Sequence, residues 1–316
     1  MMYRIGVDLG GTNIAVGVVS EDYKIIGRGK KKTNCPRPAA EIFDDIAEAV
    51  KMAMDDAGIT IDEVLSIGIG TPGSVNKTNG YIEFANNLGF DNVPAGEMLE
   101  ERIGKKVFLD NDANCAALGE AVVGCGKGVK NFVAITLGTG VGSGIVLDGK
   151  LVTGCNYAAG ECGHMVIAVD GKQCNCGRKG CWEAYASATA LVEQTKFAMK
   201  ADKESIMWEI CEGNIDNADA RTSFRAMDKG DFTATGVVYR YCHYVAAGLV
   251  NIINALQPDI ICLGGGVANE KENLISHVRK ICEKERYSIH SAVQTQILSA
   301  QLGNDAGIYG AALLDE

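Results

Sequence analysis

Three cysteines and one histidine carry the most specific chemistry in the sequence. Cys174, Cys176 and Cys181 fall in the run from Gly160 to Glu183, GECGHMVIAVDGKQCNCGRKGCWE, and His164 stands ten positions before Cys174. Three thiolates and one imidazole complete a tetrahedral shell for Zn²⁺, and a shell with no open position is the structural kind of site. Gly177 and Gly180 let the chain turn tightly around a single ion. The competing reading is a chance cluster of reduced core cysteines. Flanking Gly, Arg and Lys make that run a poor buried strand or helix. The same run holds Glu161 and Glu183, so a metal clip would fix two carboxylates beside it. Zinc then shapes a loop for a ligand, and catalysis falls to other residues.

A second kind of chemistry lies in the glycine turns. Residues 3–20, YRIGVDLGGTNIAVGVVS, read as two strands joined at Gly10-Gly11-Thr12-Asn13, behind Asp8. Such a turn points backbone N–H groups into a concavity that suits an anion, and Thr12 and Asn13 can add side-chain hydrogen bonds. A plain hairpin is the alternative. Residues 132–147, FVAITLGTGVGSGIVL, repeat the plan with a turn at Gly138-Thr139-Gly140. Internal duplication at this separation predicts two similar domains, with one phosphate-sized turn at the start of each. Gly264-Gly265-Gly266, between a strand and a helix, can admit a base or ribose.

Polar residues at strand ends complete the candidate set. The strand Lys106 to Leu109 runs into Asp110-Asn111-Asp112 and a helix over 113–123, and ligands of open α/β sheets collect beyond such strand ends. One of the aspartates should cap that helix. Three polar groups exceed what one cap needs. The segment Glu83 to Phe90 reads as too polar for core, with Asn86 and Asn87 either turn formers or ligand donors.

The elements that must position these residues alternate. Strands are expected at 3–8, 24–31, 64–70, 259–263 and 294–299. Residues 39–57 show the apolar spacing of an amphipathic helix stopped by Gly58, and helices are expected over 182–200, 205–212, 235–256, 271–285 and 308–314. The whole is α/β, divided into residues 1–118 with 301–316 and residues 119–300. At 316 residues and 47% hydrophobic the chain can bury a core for two domains. Its net charge of −10 disfavours nucleic acid as a partner. No apolar run is long enough to span a membrane, and none of the regions of a signal peptide precede the first strand. Of the 12 cysteines, those at 35, 115, 125, 155, 162, 211, 242, 262 and 282 are scattered. Free thiols of that kind suit a reducing cytoplasm.

The combination of D-x-G-G-T at Asp8 to Thr12, L-G-T-G-x-G at Leu137 to Gly142, E-x-G-H at Glu161 to His164 and C-x-C-G-x-x-G-C-x-E at Cys174 to Glu183 resembles the ROK family of sugar kinases and repressors. The resemblance runs from the first strand to the last helix. It implies a two-domain actin-like, ribonuclease-H-like ATPase fold with an inter-domain active-site cleft and a zinc-bound loop. It further implies an ATP-dependent transfer of the γ-phosphate, with Mg²⁺, to the 6-hydroxyl of glucose. By the same resemblance Asp112 is the general base, while Asn87, Asn111, Glu161, His164 and Glu183 bind the sugar. Asp8, Gly10, Gly11, Thr12, Asn13, Gly138, Thr139 and Gly140 hold the nucleotide's phosphates, and Gly265 and Gly266 lie near adenosine. His164, Cys174, Cys176 and Cys181 ligate structural Zn²⁺, with His164 offering its other ring nitrogen to the sugar. Phe90 stands where members often carry Trp, at the rim of the sugar pocket. A homo-oligomer, dimer or tetramer, is expected. Other readings are a kinase for N-acetylmannosamine, mannose, fructose or allose, and a non-catalytic sugar sensor. A repressor would carry a winged-helix region before the first turn, which here begins at residue 10 of an acidic chain.

Overall fold

The structure, a computed structural model, describes residues 2–315. The chain divides into two compact units. The first holds the chain through Phe132, Gly144–Gly160 and the chain from Gln301; the second holds Val133–Ser143 and Glu161–Ala300. These limits differ from a division after residue 118. The buried Glu120 carboxylate accepts from the N–H groups of Cys125, Gln301 and Leu302, which keeps the segment after the third helix and the returning residues in the first unit.

In the first unit, β1 (Tyr3–Leu9), β2 (Asn13–Val19) and β3 (Ile25–Lys32) form an antiparallel meander, followed by α1 (Ala39–Ala57). The αL conformation of Gly58 ends α1, as the sequence predicts. Next come β4 (Val64–Thr71), β5 (Ser74–Asn76), β6 (Tyr81–Ala85), β7 (Phe90–Val93), α2 (Ala95–Ile103), β8 (Val107–Asn111) and α3 (Asp112–Val122). The main sheet has the order β3-β2-β1-β4-β8, with β1, β4 and β8 parallel. Ile5, Val7, Leu9, Ile67 and Ile69 are fully buried, packed with Ile42, Phe43 and Ile46 of α1.

Strands β5, β6 and β7 make a small antiparallel sheet. Here the expected polar loop at Glu83 to Phe90 is corrected. Ala85, Leu88 and Phe90 are buried, and the Phe90 ring stacks on Phe43 at 6.4 Å between centroids. Phe90 is thus core of the first unit rather than an open rim residue.

The chain continues with β9 (Phe132–Leu137), β10 (Val141–Leu147), β11 (Lys150–Leu151), α4 (Glu183–Ala186), α5 (Ala188–Ala201), α6 (Met207–Ile210), α7 (Thr222–Asp228), α8 (Phe232–Leu256), β12 (Ile260–Gly264), α9 (Glu272–Glu285), β13 (Gln296–Ser299) and α10 (Ala306–Ala312). The second sheet has the order β11-β10-β9-β12-β13, matching position for position the order of the first, with β10 and β11 antiparallel and β12 and β13 parallel. The helix expected over 182–200 is two helices, because Ser187 is extended and caps α5 through its hydroxyl. In the second unit α8 is the spine. Trp182 is fully buried, its indole N–H donating to the carbonyl of Tyr244 at 2.7 Å.

α10 belongs to the first unit and seats directly against backbone. A Cβ on Gly68 of β4 would lie 1.8 Å from the Ala311 carbonyl oxygen, and one on Gly310 would lie 1.6 Å from that of Cys115 in α3. Only glycine permits either approach.

Candidate active site and metal centre

The first turn is built to leave N–H groups free. Thr33, fully buried after β3, donates its hydroxyl to the Gly10 carbonyl at 2.6 Å and its N–H to the Thr12 carbonyl at 3.0 Å. The Gly10 N–H is spent on the Asn13 carbonyl at 2.9 Å. With the carbonyls so engaged, no described residue accepts from the N–H groups of Gly11 and Thr12. The result is an anion-binding concavity. Asn13 Oδ1 is buried without a partner among the described residues. Asn87, exposed, adjoins this turn: a Cβ on Gly11 would meet the Asn87 carbonyl oxygen at 3.4 Å.

Two carboxylates face this region. Burial first, then the charge of Asp112, raises Asp8 to a pKa of about 6. Asp112 is raised too, by withdrawal from bulk water, against the lowering effect of the Ala113 N–H and its own. The Asp112 charge adds to the rise at Asp8, so the two carboxylates titrate as an interacting pair. Asp112 opens α3 and is exposed there.

The helix cap is Asn111 rather than one of the flanking aspartates. Its Oδ1 accepts from Ala113 N and Asn114 N, while its Nδ2 donates to the Gly73 carbonyl at 3.1 Å. Asp110 is buried and structural. It accepts from the Asn111 N–H at 2.7 Å and from Asn114 Nδ2 at 2.9 Å, and pairs with Lys77. Lys77 and Thr33 are site-supporting residues that the sequence did not reveal. No motif marks either one, since each acts through a contact distant along the chain.

In the second unit the turn after β9 repeats the device. The Gly138 carbonyl accepts from the Ala188 N–H at 2.7 Å, and the Thr139 carbonyl from the Thr189 hydroxyl at 2.9 Å. No described residue accepts from the N–H groups of Thr139 and Gly140. The Glu183 carboxylate accepts from the Val141 N–H at 2.9 Å and sits where a Gly140 Cβ would be, 2.4 Å from that position. Gly265, at φ +85°, backs onto β9, where its Cβ would lie 2.6 Å from the Leu137 carbonyl oxygen. Gly266 has open space about its Cβ position, so β12's turn stays unobstructed next to the turn after β9.

The metal donors also gather in this unit. The ligand atoms of His164, Cys174, Cys176 and Cys181 lie within 4.8 Å of one another. His164 Nδ1 is 3.8 Å from Cys174 Sγ, and Cys176 Sγ is 3.6 Å from Cys181 Sγ. A tetrahedron with Zn–S bonds of about 2.3 Å has an edge of about 3.8 Å, so the donor set fits the ion. Burial pushes Cys181 up to about 12 and raises Cys174, while the Arg178 N–H lowers Cys176. Glu161 is exposed and begins the short turn that carries His164.

Two sheets of one plan, each with an anion-binding turn after its opening strand, define an α/β fold of the actin-like ATPase class. Within that class the chain belongs to the ROK family, whose profile matches residues 4–316. The chain is 39% identical over 311 residues to the glucokinase of Thermotoga maritima, spanning 98% of this chain and 95% of that one. Among solved structures it resembles a ROK family glucokinase from Streptomyces griseus in complex with glucose and AMPPNP, at 36% identity, 99% and 98% coverage and a TM-score of 0.81. It also resembles a ROK hexokinase from Thermus thermophilus, at 32% identity, 99% and 98% coverage and a TM-score of 0.83.

Proposed function

We propose that this chain transfers the γ-phosphate of ATP to the 6-hydroxyl of glucose. The observation that carries the proposal is the matched pair of turns whose carbonyls are engaged and whose N–H groups are free, with an acidic pair beside the first. Phosphoryl transfer is mostly positioning and charge stabilisation, for which N–H cradles and one base suffice. The relatives at 36% and 39% identity are glucokinases along nearly their whole length, and the Streptomyces griseus protein was solved with glucose and an ATP analogue.

For the first unit the proposal gives Asp112 the base role. Its carboxylate takes the proton of the sugar hydroxyl as that oxygen bonds to the γ-phosphorus and the bridging oxygen leaves with ADP. Its pKa, raised by withdrawal from bulk water, makes it a better proton acceptor than an ordinary aspartate. Asn111, held by its cap bonds, and Asn87 offer amides to neighbouring hydroxyls. Gly10 to Asn13 hold phosphate. Mg²⁺, when bound, would offset the phosphates' charge. Hard oxygen donors suit it, and Asp8 with the orphaned Asn13 Oδ1 supplies such donors.

For the second unit it gives Glu161, His164 and Glu183 to sugar hydroxyls, which both donate and accept. His164 Nδ1 faces the cysteines, so Nε2 is the nitrogen left for sugar. His164, Cys174, Cys176 and Cys181 would hold Zn²⁺, which fixes the tautomer of His164. Gly138 to Gly140 hold phosphate, with Gly265 and Gly266 near adenosine. We further propose that the protein works in the cytoplasm as a homo-oligomer.

The test is a Mg·ATP-dependent phosphorylation assay run in parallel on glucose, mannose, fructose, N-acetylglucosamine and N-acetylmannosamine. The highest kcat/KM is expected for glucose. A lead for another hexose would overturn the substrate, and no turnover with retained sugar binding would overturn the kinase.

A further inference from the structure

Resting on the kinase reading above, we propose that Glu183 is a positioning residue through which the zinc loop sets the phosphate turn Gly138–Gly140. Emptying the metal site then weakens nucleotide binding as well as sugar binding. The argument lies wholly within the second unit. One carboxylate oxygen of Glu183 accepts from the Val141 N–H at 2.9 Å, directly after the turn. The other lies 3.7 Å from the Cys174 sulfur, one of the metal donors. Glu183 follows the donor Cys181 by two residues, and Trp182 between them is fully buried and tied through its N–H to the Met165 carbonyl at 2.8 Å. A shift of Cys181 therefore reaches the Glu183 carboxylate with little slack in between.

At its far end the carboxylate occupies the space a side chain on residue 140 would need, which makes Gly140 and Glu183 one packed unit. The bond to Val141 N–H matters because it orients the peptide that follows Gly140. Beside the Gly138 and Thr139 carbonyls held by Ala188 and Thr189, and the Gly138 N–H bonded to the Gly140 carbonyl at 3.0 Å, it is the tie that reaches the turn from the metal-donor run, and it leaves the Thr139 and Gly140 N–H groups without an acceptor among the described residues. Losing it frees one side of the cradle. Glu183 thus serves two ends: a sugar hydroxyl, in the proposal above, and the geometry of the phosphate turn.

The test is calorimetric binding of Mg·ADP without sugar to the parent, Glu183→Ala, Cys176→Ser and the double variant, with zinc content measured by mass spectrometry. Glu183→Ala is expected to keep zinc yet bind Mg·ADP roughly five- to tenfold more weakly, the worth of one hydrogen bond. Cys176→Ser is expected to lose zinc and a similar factor. The double variant should be no weaker than the worse single one, since both act along one line. Glu183→Gln keeps an acceptor for the Val141 N–H and should restore nucleotide affinity. A general structural lesion would not show that rescue. Glu183→Asp, one methylene too short to reach Val141, supplies the same comparison should the alanine variant fail to fold. Unchanged Mg·ADP affinity in Glu183→Ala, or losses that multiply in the double variant, overturns the coupling alone. A zinc-loaded parent that binds no Mg·ADP overturns the kinase reading together with it.

Discussion

Asp8 is held in its ionised form at a cost, and replacing it by asparagine should make the ligand-free protein more stable. Its pKa rises from 3.8 to about 6, by burial first and by the charge of Asp112 second. At about 1.4 kcal/mol per unit this sets a ceiling of about 3 kcal/mol against the native state above pH 6. Asp8 is half-buried, so solvent screening reduces the expected gain to about 1–2 kcal/mol. For a protein of this size that is a rise in Tm of roughly 2–6 °C. The sign follows from proton counting: between pH 3.8 and about 6 the folded state binds more protons than the unfolded one, so the parent loses stability as pH rises through that window. Asp8→Asn removes that loss. The gain should be absent below about pH 4 and complete above about pH 6.5. Thermal melts at several pH values without nucleotide read it directly, and phosphorylation should fall in the same variant. A variant less stable than the parent at pH 8, or a gain equal at pH 4 and pH 8, would refute the electrostatic account.

Asp112→Asn should cut turnover by roughly 10² to 10⁴-fold with glucose binding largely kept. In that variant the carbon NMR titration of Asp8 should move down from about 6 while staying above 3.8, because burial remains its larger cause. Cys176→Ser should abolish stoichiometric zinc and weaken glucose binding, both measurable by mass spectrometry and calorimetry. Zinc uptake by the stripped parent should release protons and tighten as pH rises, since the Cys181 thiol, pushed up to about 12, must ionise to bind. Gly248→Ala should lower stability by about 1–3 kcal/mol, because its methyl would lie 2.0 Å from the Trp182 ring that steadies the zinc loop. An unchanged melting temperature would show that α8 gives way freely.

Local chemistry made much of this readable from the sequence. The hairpin at Gly10 to Asn13 needs no distant partner to be recognised, and α1 carries its own stop at Gly58. Cys174, Cys176 and Cys181 stand out as a donor set because three thiols in so polar a run make a poor core segment, and their sulfurs do gather with His164. What stayed hidden depends on tertiary contact. Strands β5 to β7 are short and carry an exposed Phe84, so no alternation marks them. Asn111 caps α3 although aspartates flank it, since β8 extends far enough to place its amide rather than theirs. Thr33, Lys77 and the bond from Val141 to Glu183 join residues far apart in sequence, and no local pattern encodes such pairings.

The seating of α10 bears on how the protein is made. Its backbone lies against Gly68 and its Gly310 against α3, and Gly307 adjoins Asp8, with a Cβ there 3.1 Å from the carboxyl carbon. Residues 133–300 are synthesised before α10, so a nascent chain that has completed β1 to β8 still lacks one wall of its first unit. At about 5–20 residues per second that gap lasts on the order of ten to thirty seconds. During it the glycine-lined face that receives Ile308 and Ala311 stays uncovered. The turn beside Asp8 is then among the last parts of the first unit to acquire its final surroundings.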